Sequence, residues 1–262
     1  PEDSVVIYKN DKNMILQSND GFPALLSDPW INAKITTLHA CSDLWACGAK
    51  LSSAQALISL PKVEKYFQNY LFTQCLQGIK STVEEQNGEL IGGHTFESRG
   101  LVSKPYSLGI EISLTVQGIL RNGVKPWLKS GMQIGDVLLM SRPLGVGIFF
   151  AGQMQNINLR GNSDEIMKNL LTSQQYLIDQ IYLLEDQFRE SFVNAATDIT
   201  GYGFMGHLKE MIESSNISRK ENNLPPLKVL LDLFAFKAYP GVIDLIRKGI
   251  KSTLFESNKE II

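Results

Sequence analysis

The chain has 262 residues, 25 Lys+Arg against 27 Asp+Glu and a formal charge of −2, with 44% hydrophobic and 20% charged residues. That composition excludes a disordered chain, the length buries the core of one large domain or two small ones, and no apolar run reaches the roughly 18 residues of a membrane span. Near-neutral charge gives no general reason to expect nucleic acid or an anionic membrane as partner, and three cysteines (Cys41, Cys47 and Cys75) are too few for a disulfide framework, so the composition reads as a soluble intracellular protein.

Ser4 to Tyr8 is β-branched and aromatic, Asn10 to Asn13 supplies turn residues, and Met14 to Ser18 follows, so the opening predicts a hairpin. Its second strand runs into Asn19-Asp20-Gly21-Phe22-Pro23, which sets a carboxylate at a strand end. From Pro29 to Cys47 the apolar residues take helical spacing, and Gly48 stands where a C-cap glycine would. Leu51 to Leu60 predicts a strand, followed by a helix of about 25 residues ending near Asn87-Gly88. Leu90-Ile91 leads into Gly92-Gly93-His94-Thr95. Leu108 to Leu120 then alternates, with Leu108, Ile110, Ile112, Leu114 and Val116 on one face and Glu111, Ser113, Thr115, Gln117 and Ile119 on the other. The apolar face must be covered, by helices of its own domain or by another sheet, and the pattern alone does not choose.

The first half therefore reads β-β-α-β-α-β-β, an α+β unit with helices on one side of a sheet. Beyond Arg121-Asn122-Gly123 the expected order is a turn at 130–136, a strand at Val137 to Met140, a glycine-bearing loop at 143–147 and helices from about Ser163 to Phe192. A loop at 196–203, a helix from Phe204 to Ser214, a linker at 221–226 and a strand at Leu227 to Leu231 complete it, which divides the chain into domains 1–122 and 123–262. Its start at Pro1, with no initiator Met or leader-like stretch, reads as a longer polypeptide cut inside structure at the front, with a second candidate cut at the back.

Four acidic residues carry the chemical interest: Asp3, Asp20, Asp43 and Asp198. Each alone is more readily a cap, turn or surface carboxylate. Asp43 fits that reading least, because Ala40, Leu44, Ala46 and Cys47 surround it, and a half-buried carboxylate must be hydrogen-bonded, paired or bound to a cation. Clustered carboxylates suit Mg²⁺, which takes hard oxygen ligands and shares them with phosphates; zinc is disfavoured, since neither Cys-x-x-Cys nor His-x-x-x-His spacing occurs. Gly92-Gly93-His94-Thr95 offers backbone amides without side chains in the way, and the place of His94 leaves packing and function equally open. Asp198-Ile199-Thr200-Gly201-Tyr202-Gly203 is a bent loop before a helix N-terminus. Gly145-Val146-Gly147 matches neither a P-loop nor a dinucleotide fingerprint. The cysteines read as small core residues, and His39 and His207 as helix residues with polar or packing roles.

Taken in order, Glu2-Asp3-Ser4-Val5-Val6, Asn19-Asp20-Gly21-Phe22, His39 to Ala49, Gly92-Gly93-His94-Thr95 and Thr197 to Leu208 resemble the selenophosphate synthetases (selenide, water dikinases). The likeness is greater to the version fused behind a pyridine-nucleotide-disulfide oxidoreductase domain. The resemblance implies a two-domain aminoimidazole ribonucleotide synthetase-like fold, with an N-terminal sheet that forms a shared barrel in a homodimer and a C-terminal α/β sandwich, here truncated. It implies a cytoplasmic enzyme that converts ATP, selenide and water to selenophosphate, AMP and phosphate with Mg²⁺. It also implies Asp3, Asp43 and Asp198 as metal ligands, and Glu2, Asp20, Asp43, Gly93, His94 and Thr95 as ATP contacts.

Two departures qualify that expectation. The family's Cys-and-Lys glycine-rich loop, which precedes its first aspartate, is not among these residues, so the piece on its own is expected to be inactive. Asn19-Asp20-Gly21-Phe22 replaces the usual Thr-Asp-Phe-Phe, which removes one aromatic wall. A non-catalytic nucleotide-binding or dimerisation module, or a kinase for another small substrate, is the alternative.

Overall fold

A computed structural model describes residues 2–10, 12–98, 108–157 and 163–260. They form two compact units, Pro1–Pro126 with Leu170–Phe192, and Trp127–Asn169 with Val193–Ile262.

In the first unit the order is β1 (Val5–Lys9), β2 (Met14–Pro23), α1 (Pro29–Ala46), β3 (Lys50–Pro61), α2 (Lys65–Glu84), β4 (Glu89–Ser98) and β5 (Glu111–Leu120). The sheet runs β1-β2-β5-β3-β4. Neighbours are antiparallel except β3 and β4, whose parallel pairing needs the crossover that α2 provides. Helix α1 starts where Asp28 accepts the Ile31 amide and Pro29 supplies a pre-set first turn. It ends at Gly48, whose φ of 77° is the left-handed conformation of a helix stop; Gly48 N donates to Trp45 O and Ala49 N to Leu44 O.

The alternation expected from Leu108 to Leu120 is present from Ile110 onward, and the strand itself starts at Glu111, with Leu108 only half-buried. Ile110, Ile112, Leu114, Val116 and Leu120 are almost fully buried, each contributing about 1.5–3 kcal/mol of burial. They are covered by the unit's own helices, with Leu38, Cys41 and Leu44 of α1 and Leu71, Cys75, Ile79 and Val83 of α2 buried in the same layer. The opposite face is open, and it carries exposed Leu57 and Ile119 beside a polar ladder. In that ladder Asn19 donates to Thr115, Ser113 to Asn19, Gln117 to Gln17 and Ser53 to Gln117, at 2.7–3.2 Å.

The helices expected from about Ser163 to Phe192 are α4 (Ser163–Leu170), which belongs to the second unit, and α5 (Gln175–Phe188), which packs on the first. Polar tethers hold α5 there. The Tyr182 hydroxyl donates to Gly48 O at 2.8 Å, Gln175 bridges Leu51 N and Gln86 O, and Arg121 pairs with Asp186 at 2.6 Å. The units thus differ from a single division at residue 122.

The second unit holds α3 (Val146–Met154), α4, α6 (Gly203–Glu221), α7 (Val242–Arg247) and α8 (Phe255–Lys259). Gly145 caps α3, so the glycine-bearing loop expected there gives way to a helix at residue 146. Strands expected at 137–140 and 227–231 are not formed. Their β-prone residues find no ladder partner among the described residues, and Val137, Leu139 and Leu230 are 79%, 90% and 98% exposed. Leu144 and Ala238 make one isolated parallel bridge. No helix among the described residues is long and apolar enough to cross a membrane.

Candidate nucleotide and metal site

In the first unit, two periodicities meet. Residues 18, 20 and 22 of β2 share one face of the strand, and residues 39 and 43 of α1, one helical turn apart, face them. Ser18 Oγ donates to Asp43 Oδ2, while His39 Nε2 lies 2.8 Å from Asp20 Oδ2. The ring of Phe22 packs edge-on against His39, with centroids 5.0 Å apart. Asp20 lies inside β2 rather than at a strand end, and its Oδ1 accepts the Gly21 amide at 2.6 Å. Burial alone would raise the Asp20 pKa. The His39 hydrogen bond, the charge of His39 and the Gly21 amide act against burial, and the net result holds Asp20 below its ordinary range.

Asp3, just before β1, is half-buried, and one of its carboxylate oxygens lies within 4.8 Å of one from Asp43. Glu2 beside it is exposed. Two carboxylates held that close repel each other, and a divalent cation relieves the repulsion.

Gly92-Gly93-His94-Thr95 lies within β4, at the sheet edge, as a continuation of the strand that Leu90-Ile91 leads into. All four residues are exposed, and His94 stacks with Phe96 at 6.4 Å. Gly92 and Gly93 have φ of 152° and 155°, a conformation that residues with a Cβ rarely take. Asp198 belongs to the second unit, half-buried in the loop that precedes α6.

None of the cysteines offers a thiolate. Burial pushes Cys41, Cys47 and Cys75 each up to about 12; charge from Asp43 adds to this at Cys41, and from Asp3 and Glu2 at Cys47. An open cleft of about 580 Å³ lies elsewhere in the first unit. Its charges pair internally (Lys50 with Asp179, Arg121 with Asp186), and it holds none of the predicted site residues.

The structure adds Ser18, Phe22, His39 and His207 to the residues of interest. Two signals in the sequence point to the first three: the i, i+2, i+4 spacing through Asp20 in a strand, and the i, i+4 spacing of His39 and Asp43 in a helix.

Residues 1–120 match the AIR synthase related protein N-terminal domain, and residues 133–228 the AIR synthase related protein C-terminal domain. The selenide, water dikinase of Aliarcobacter butzleri is 29% identical over 244 residues, which cover 92% of this chain and 64% of that protein. The selenide, water dikinase of Methanocaldococcus jannaschii is 27% identical over 276 residues, 97% of this chain and 76% of that protein. A third curated selenide, water dikinase is covered to 66%, so the chain spans about two thirds of the length of such relatives. Among solved structures, the hydrogenase maturation protein HypE of E. coli shares the fold, with a TM-score of 0.67 and 16% identity over 94% of this chain and 68% of that one. The α+β architecture is that of the AIR synthase-like proteins.

Proposed function

We propose that this chain, which belongs to the AIR synthase related superfamily in its selenide, water dikinase branch, is the ATP- and magnesium-handling part of an enzyme that makes selenophosphate from ATP, selenide and water. The observation that carries the reading is the register of β2 against α1. It sets Asp20 and Asp43, two carboxylates from separate motifs, on one face, each with its own hydrogen-bond partner.

The donor set fits Mg²⁺. The oxygens of Asp3 and Asp43 are hard ligands within 4.8 Å of each other, and the buried, protonated thiols offer no competing soft site. In this reading Asp3, Asp43 and Asp198 hold the ion. When bound, it neutralises phosphate charge, which is most of what phosphoryl transfer asks of a protein. Ser18 fixes one Asp43 oxygen and so orients the carboxylate. Asp20, kept anionic well below neutrality, accepts hydrogen bonds from nucleotide hydroxyl or amino groups. Gly93, His94 and Thr95 contribute from the exposed edge strand, where the register puts Thr95 on the face of Asp20 and His94 on the open face with Leu57, and Glu2 stands next to Asp3.

A C2 homodimer in the cytoplasm belongs to the same proposal. The open sheet face, with its polar ladder and exposed Leu57 and Ile119, supports pairing with a second copy. An oxidoreductase domain on the same polypeptide is compatible with this reading.

Asp43→Asn tests the metal assignment, since it keeps size and one acceptor but removes the charge. Calorimetry of the full chain is expected to show Mg·ATP affinity lower by about a hundredfold or more, with the circular dichroism unchanged. Unchanged affinity refutes the assignment.

A further inference from the structure

The loop that carries Asp198 is built without an ordinary helix cap. Tyr202 occupies the N-cap of α6, and no side chain there accepts a hydrogen bond from the first turn. The loop is held instead from within the helix. His207, buried in the second turn, places Nε2 at 3.2 Å from the Thr200 backbone N and 3.2 Å from Thr200 Oγ1. A backbone N–H can only donate, so Nε2 is the unprotonated acceptor and the proton of the neutral ring sits on Nδ1. Nδ1 faces Glu210 Oε2 at 3.5 Å, and that same oxygen lies 3.2 Å from Lys129 Nζ. Tyr202 packs against the imidazole at 5.9 Å, and Asn258 Nδ2 donates to Gly201 O at 2.9 Å. Lys129, Glu210 and His207 thus form a line of polar contacts that ends on the loop, two residues from Asp198.

We infer that His207 is a positioning residue for Asp198, acting through Thr200 to keep the metal-binding loop in one conformation before any ligand arrives. The inference rests on the proposed part of Asp198 in Mg²⁺ binding. Its physical basis is the composition of the loop. Gly201 and Gly203, the latter at φ 68°, leave the backbone free to move, and freedom not removed by folding is removed on binding, at a cost in affinity. Among the described residues Nδ1 makes no hydrogen bond and has Glu210 Oε2 only within charge range, so the Thr200 contacts set the orientation of the ring while Lys129 pairs with Glu210.

Three measurements on the full chain test it. Nitrogen NMR of the histidine ring is expected to show Nδ1 protonated and Nε2 bare; the opposite tautomer overturns the inference, and no variant has to fold for this result. Hydrogen exchange at the Thr200 amide is expected to rise by about tenfold in His207→Leu and to stay within about threefold of the parent in His207→Gln, whose amide oxygen reaches the position of Nε2. Equal exchange in all three proteins overturns the inference. Mg·ATP affinity is expected to fall by about tenfold in His207→Leu and to recover in His207→Gln. A parent chain that does not bind Mg·ATP refutes the part given to Asp198, while the exchange and tautomer results still decide whether His207 holds the loop.

Discussion

Gly92 and Gly93 allow a clean comparison, because they have nearly the same φ but different surroundings. A Cβ added at Gly92 meets nothing within 4 Å, whereas one at Gly93 falls 2.0 Å from the Ala56 carbonyl oxygen and 2.9 Å from Ala56 N and C. Gly92→Ala therefore bears only the conformational cost, about 1–3 kcal/mol for a residue in this glycine-favoured region. Gly93→Ala bears the same cost and must also part β4 from β3, since Ala56 presents backbone there rather than a side chain that could swing away. Overpacking adds about 1–3 kcal/mol and roughly two weakened ladder bonds add about 1 kcal/mol each, so the second variant should be less stable than the first by about 3–5 kcal/mol. At about 2–4 °C per kcal/mol for a unit of this size, that is a melting point roughly 6–20 °C lower than in Gly92→Ala. Differential scanning calorimetry of the full chain reads the difference. Melting points within about 2 °C of each other would show that β4 does not sit against Ala56 as described, and the reason given for glycine in this motif would fall.

The Asp20–His39 pair predicts an acid-limb effect. Asp20 is depressed, so its stabilisation is present above the ordinary carboxylate pKa of about 3.9 and is lost as pH falls through its lower folded value. Asp20→Asn should be less stable than the parent at pH 7 and converge with it at the lowest pH at which both stay folded; a constant gap in urea midpoints across that range refutes the pairing. For the open sheet face, light scattering at micromolar concentration should give a dimer mass for the parent and a monomer mass for Leu57→Arg, with both folded. A monomeric parent refutes the homodimer.

The first unit was legible because its signals are local. The β5 alternation and the helical spacing of α1 are each contained in one element; burial follows the β5 alternation residue by residue, while α1 also buries the polar residues Asn32, Lys34, Thr36 and Thr37 between its apolar positions. The second unit was less so. Val137 to Met140 and Leu227 to Leu231 have strand composition, but a strand exists only where a backbone partner is supplied, and that partner is a non-local matter. The placement of α5 was hidden for a similar reason. Its apolar spacing says only that it is a helix, whereas Tyr182, Gln175 and Arg121 choose the unit it joins, through partners 61 to 134 residues away.

The site was legible as a set of residue types and illegible as a set of pairs. Asp43 could be recognised as an uncomfortable carboxylate, yet its partner Ser18 lies 25 residues away in an element of different period. The departure at Gly21 shows the same limit in reverse. Read along the sequence, glycine beside Asp20 removes an aromatic wall from the nucleotide site. In the fold, strand alternation puts residue 21 on the face opposite Asp20 and Phe22, opposite Ser113 of β5, where an added Cβ would lie 2.2 Å from the Ile112 carbonyl oxygen. The aromatic ring that flanks the Asp20–His39 pair is Phe22, and it is retained. What Gly21 changes is therefore the pairing of β2 with β5, and the face that receives the carboxylates of β2 and α1 is unaltered by it.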